Sequence, residues 1–133
     1  MKLQISKGLL LIILLANILS CKSDENGHGN EQVVLKENEL VGKWNIIKAN
    51  RNGKETKSLE SGYFNFKNGQ IVTTNIFGTK DSVPYSFSEK NIMINTQMPL
   101  DIKVVKISGD TMIFNSKMRM FDMEFYVVRD SLD

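Results

Sequence analysis

The chain has 133 residues, 24% of them charged, with 17 Lys and Arg against 15 Asp and Glu, a single His and a single Cys. Lys2 and Lys7 account for the whole formal charge of +2, so the remainder is balanced and offers no electrostatic case for nucleic acid as a partner. Such a length holds one small domain.

Behind Lys2 and Lys7, Leu9 to Leu15 form an unbroken apolar run that continues after Ala16 and Asn17 through Ile18 and Leu19. A charged start followed by a short apolar core is the layout of a secretory signal. As a membrane span it falls short of the about 20 apolar residues needed to cross about 30 Å of hydrocarbon. A buried core helix could have the same length; what separates the two is Ile18-Leu19-Ser20-Cys21, an aliphatic pair and a small residue directly before cysteine. That tetrapeptide resembles the lipobox of bacterial lipoproteins, whose cysteine thiol is alkylated by diacylglycerol before the chain is cut in front of it. The resemblance implies a signal peptide over residues 1–20 and Cys21 as a lipid-modified N-terminus. A lone cysteine cannot form an internal disulfide in an exported chain. Two or three acyl chains, at about 0.8 kcal/mol per buried CH₂, hold a protein to a bilayer essentially permanently.

Residues 21–39 read as a lipidated tether, polar from Lys22 to about Lys36 and containing the only histidine, His28. Its start, Cys21-Lys22-Ser23-Asp24-Glu25, resembles the signal that sends lipoproteins of Bacteroidota to the outer face of the outer membrane. The implied location is the outer membrane, lipid-anchored, with cell-surface exposure; a plain solvated tether on a periplasm-facing anchor is the alternative.

From Leu40 onward short alternating runs are separated by turn residues, which argues for an all-β meander. Strands are expected over Gly42–Ala49, Tyr63–Phe66, Ile71–Thr74, Asp81–Ser88, Ile92–Ile94, Ile102–Ile107, Thr111–Asn115 and Phe121–Arg129. Residues 54–61 (KETKSLES) suit a short helix or a lid equally. Asn52-Gly53, Asn68-Gly69, Glu89-Lys90 and Gly109-Asp110 are the turns, with Asn68-Gly69 expected to place both residues at positive φ. The result is a small up-and-down meander of about eight strands in residues 40–133, closed into a barrel whose interior is filled by side chains or holds one small ligand. Two packed sheets are the alternative.

Leu40-Val41-Gly42-Lys43-Trp44 and Tyr126-Val127-Val128-Arg129 resemble the G-x-W and terminal-strand arginine of the lipocalins. The stretch from Leu40 to Arg129 is similar to the short lipocalin-like lipoproteins of Bacteroidota, including Phe64-Asn65-Phe66-Lys67-Asn68-Gly69 and Ile107-Ser108-Gly109-Asp110-Thr111-Met112. The resemblance implies that Trp44 plugs the closed end of the barrel with Arg129 across its ring. The chain departs from a full lipocalin in its shorter domain, its lack of a disulfide and its lack of a C-terminal helix, and shorter strands enclose a smaller cup.

If Trp44 is interior, matching alternation turns Phe64, Phe66, Val83, Tyr85, Phe87, Met112, Phe114, Phe125 and Val127 inward. Of these, Phe64, Phe66, Tyr85, Phe87, Met112, Phe114, Phe125 and Val127 are the candidate ligand-binding residues, either walls for an apolar ligand or a core filling its own space. No catalytic residue, cofactor or metal site is expected. The domain has neither the imidazole nor the thiol of the common hydrolase constellations and zinc sites. Asp122 and Glu124 share an outward face. Met118, Met120 and Met123 offer soft thioethers suited to Cu(I), but Met120 and Met123 have opposite strand parity. Asp81-Ser82-Val83, Asp110-Thr111-Met112 and Asp130-Ser131-Leu132 resemble the O-glycosylation sequon of Bacteroidota and also read as turns. The expected function is a non-enzymatic, lipid-anchored binding protein for a small apolar molecule. The alternative is an inhibitor, immunity or assembly lipoprotein with a filled barrel and a protein partner.

Overall fold

The computed structural model describes residues 32–76 and 82–131. The signal segment, Cys21 and His28, and also Asp81 and Leu132 of the sequons, lie outside the described residues. Among the described residues the elements are a short helix α1 (Glu37–Leu40) and nine strands: β1 (Gly42–Arg51), β2 (Lys54–Glu55), β3 (Tyr63–Lys67), β4 (Ile71–Thr74), β5 (Val83–Ser88), β6 (Asn91–Ile94), β7 (Leu100–Ser108), β8 (Thr111–Met118) and β9 (Phe121–Arg129). From β3 to β9 each strand pairs antiparallel with the next, and β1 pairs with both β3 and β9. Eight strands therefore close into an up-and-down barrel, β2 being a two-residue return alongside the end of β1. Closure leaves no open edge in the main sheet, the usual liability of an exposed strand.

Alternation drives the strands. Phe64, Phe66, Ile92, Ile94, Leu100, Ile102, Val104, Met112, Phe114, Met123, Phe125 and Val127 point inward and are buried, while their neighbours carry the polar groups. Each fully buried large apolar side chain contributes about 1.5 to 3 kcal/mol. Two bulges adjust the parity, between Ile46 and Lys48 in β1 and between Val104 and Lys106 in β7. The first lets both Ile46 and Ala49 face the core; the residues left unpaired, Ile47 and Val105, are thrown outward and are 67% and 49% exposed.

Turn chemistry is local, with one correction. Asn52 and Gly53 have φ of +48° and +78° and join Arg51 to Lys54, the mirror-image turn whose twist suits paired strands. At Asn68-Gly69, Lys67 faces Ile71, so the loop holds three residues, and positive φ falls on Gly69 and Gln70 instead of Asn68. A two-residue loop would set Phe66 opposite Ile71 and turn Val72 outward. The longer one sets Phe66 opposite Val72, which is fully buried, and burial decides register.

Residues 54–61 form neither a helix nor a lid but the short β2 and a run of turns. The last residues assigned to the tether pack on the barrel: Val33 touches the core, and Leu35 is buried, its N–H donating to the Glu89 carbonyl at 2.8 Å. One compact unit runs from Gln32 to Asp133 and contains the whole closed sheet and its core.

Candidate functional site

One end of the barrel is shut by a unit built from Gly42, Trp44 and Arg129. Trp44 is fully buried, and its indole Nε1 donates to the Leu40 carbonyl at 2.8 Å, tying α1 across the barrel end. The Arg129 guanidinium lies 4.5 Å from the Trp44 ring centroid. It also donates to the Val41 carbonyl at 3.3 Å and to the Glu39 carbonyl, so the cation also satisfies carbonyls at the end of α1. Gly42 has φ +137°, and a β-carbon there would stand 3.4 Å from Arg129 Cγ and Cδ. Glycine two residues before the tryptophan is thus required by backbone conformation, and the arginine stem passes in van der Waals contact over it.

Above this plug the interior is solid. Phe125 stacks on Phe114 at 4.9 Å, Phe64 meets Phe114 edge-on at 5.4 Å, Phe66 meets Tyr85 edge-on at 5.0 Å, and Phe87 follows Tyr85 at 6.4 Å. Met112 and Val127 are each 1% exposed. The structure brings together the residues named from parity, and they fill one another's space. Tyr85 is 2% exposed, and its hydroxyl has no hydrogen-bond partner among the described residues. Burial, and secondarily the nearby Glu37 carboxylate, push its pKa above the ordinary 10.0.

The open space lies at the opposite end, where a concavity of about 790 Å³ opens to solvent. Its walls are Leu59, Ile76, Leu100, Met118, Phe121 and Met123, with Met98 and Pro99 from the β6–β7 loop; Arg51, Lys117 and Arg119 complete the lining. None of Phe64, Phe66, Tyr85, Phe87, Met112, Phe114, Phe125 or Val127 lines this cup. They form the packed barrel beneath it. The lining comes from strand ends and loops, and parity says which way a residue points but not how deep it sits, so the sequence reading missed it. The one available signal was methionine crowding near Met118 and Met123. Met120 stands apart in the β8–β9 turn, 79% exposed.

A second, shallower concavity of about 500 Å³ lies on the outer face of the sheet, among Asn50, Asp101, Lys103, Asn115, Lys117, Asp122 and Glu124. Asp122 and Glu124 do share an outward face. Glu124 accepts hydrogen bonds from Asn50 at 2.8 Å and from the Tyr126 hydroxyl at 2.9 Å. The bond to Glu124 is the main cause raising the Tyr126 pKa, with burial and the carboxylate charge adding to it. These groups satisfy one another and mix both charge signs, an arrangement suited to a solvated face. Thr111 of the second sequon donates to the Ser108 carbonyl at 3.0 Å, which is turn chemistry.

The two ends therefore differ in kind: a sealed end held by Trp44 and Arg129, and an open end with apolar walls and cationic residues. The chain matches no family model, no curated protein and no solved structure.

Proposed function

We propose that the chain is an exported, lipid-anchored, lipocalin-like binding protein that carries a small, largely apolar molecule in the open end of its barrel. The observation that carries this reading is the cup of about 790 Å³, within the roughly 300 to 1,000 Å³ range of small-molecule sites. Its walls are mostly apolar, and thioethers adapt to varied shapes. The sealed opposite end and solid interior give the cup a rigid floor. In this reading Cys21 carries the acyl anchor and the domain is held at the outer membrane; the barrel acts by binding and not by catalysis.

The test is titration of residues 22–133 with Nile red, a neutral dye that brightens in apolar surroundings. Saturable binding with a dissociation constant on the order of 10 µM or tighter is expected. Met118→Trp, which fills the cup, should remove it, while Phe87→Leu in the packed interior should not.

The second reading, a protein-interaction lipoprotein, draws on the outer face. Tyr126 and Ile113 are paired there, flanked by the outward bulge residues Ile47 and Val105. Absence of saturable dye binding would favour this strip over the cup.

A further inference from the structure

We propose that the cup selects single-chain amphiphiles with an anionic head, which Arg51 and Arg119 hold at the rim while the chain lies against Met98, Met118, Met123 and Phe121. This rests on the reading of the cup as a ligand site and names the class of ligand. Arg51 stands opposite Met123 across the β1–β9 pairing, so it shares the interior face of the sheet with a residue that is 4% exposed. Its guanidinium is held 5.0 Å from the Phe121 ring centroid and donates to the Ser58 hydroxyl at 3.0 Å. Those contacts fix the group at the mouth and leave most of its five N–H donors free for a ligand.

Arg119 occupies the β8–β9 turn with φ +58° and completes the cationic side. Among the described residues no Asp or Glu lines the cup, and the one ion pair within 4.0 Å is Lys43 with Asp130, near the sealed end. Beyond Lys7 the chain carries as many acidic as basic residues, so among the described residues this is a local excess of positive charge around an apolar wall. Lys117 also borders the cup, but it lies on the outward face opposite Asp122 and has no part in the proposal. Three thioethers around one concavity would suit Cu(I), but two guanidinium groups at the rim repel a cation and attract a carboxylate or phosphate.

The experiment is calorimetric titration of residues 22–133, which hold the whole closed sheet, with dodecanoic acid, dodecyl phosphate and dodecanol below their micellar concentrations. Each anion is expected to bind about tenfold tighter than dodecanol, an advantage that shrinks in high salt. Either anion leading supports the proposal and tells carboxylate from phosphate. Arg51→Met keeps an apolar stem over Phe121, and Arg119→Asn keeps a residue that accepts positive φ, so both variants should fold. Each should narrow the gap between anions and dodecanol. Equal affinity for the three ligands overturns the head-group assignment and leaves the cup standing as a binding site; binding of none of them overturns both.

Discussion

At the scale of single residues, the Trp44 plug and the Tyr85 hydroxyl make opposite demands. Trp44 is packed and hydrogen-bonded, so Trp44→Ala should cost about 3 to 5 kcal/mol, a large share of the 5 to 15 kcal/mol typical of a folded domain. Gly42→Ala should cost about 1 to 3 kcal/mol, because it forces a side chain into a glycine conformation beside the Arg129 stem. Urea denaturation of each variant measures both. Tyr85 carries a buried hydroxyl with no partner among the described residues, so Tyr85→Phe should stabilise by about 1 kcal/mol. Its pH signature follows from the raised pKa. The folded state holds the phenol proton more tightly than the unfolded chain, so stability is intact below pH 10.0 and falls as pH rises from there through the folded pKa. The alkaline loss should be shallower in Tyr85→Phe than in the parent; identical slopes would contradict the buried, unpartnered phenol.

At the scale of elements, much of the sheet was legible because alternation and turn residues are local signals. The strands around Phe64-Phe66, Phe114 and Phe125 follow from period two alone, and Asn52-Gly53 and Gly109-Asp110 turn where their composition says. What could not be read is what neighbouring strands impose. The bulges at Ile47 and Val105 and the three-residue loop after Lys67 are settled by the burial of partners such as Val72, which lie outside any local window. Gly62 is another such case. A β-carbon there would stand 2.6 Å from Ile46 Cδ1 and 3.0 Å from the Leu59 carbonyl, so the glycine marks where the turn after β2 crosses β1. Gly62→Ala should cost about 1 to 3 kcal/mol by overpacking. Ile46→Val removes the nearer atom, so the double variant should be more stable than the sum of the single effects requires, by about 0.5 kcal/mol or more. Strict additivity in the cycle would place the strain elsewhere.

At the scale of the whole molecule, the sequence indicated a closed barrel and an interior but not the division of that interior into a packed part and a cup. Depth depends on where Leu59, Ile76 and Met98 come to rest, and these belong to loops with no periodicity. The anchor is a separate matter of local chemistry: if Cys21 is the acyl acceptor, Cys21→Ala should leave an uncleaved precursor with altered membrane partitioning. Detergent phase separation of the two proteins checks this, and normal processing of the variant would remove the anchor from the account. The cup itself is tested most directly by its methionines. Met98, Met118 and Met123 line it, whereas Met112 sits in the packed interior at 1% exposure. Methyl-labelled methionine gives each a separate NMR signal. On titrating residues 22–133 with dodecanoic acid, the Met98, Met118 and Met123 methyl signals should move together and saturate while Met112 stays in place. Movement centred on Met112, or no movement at any of the four, would contradict a ligand site at the open end of the barrel.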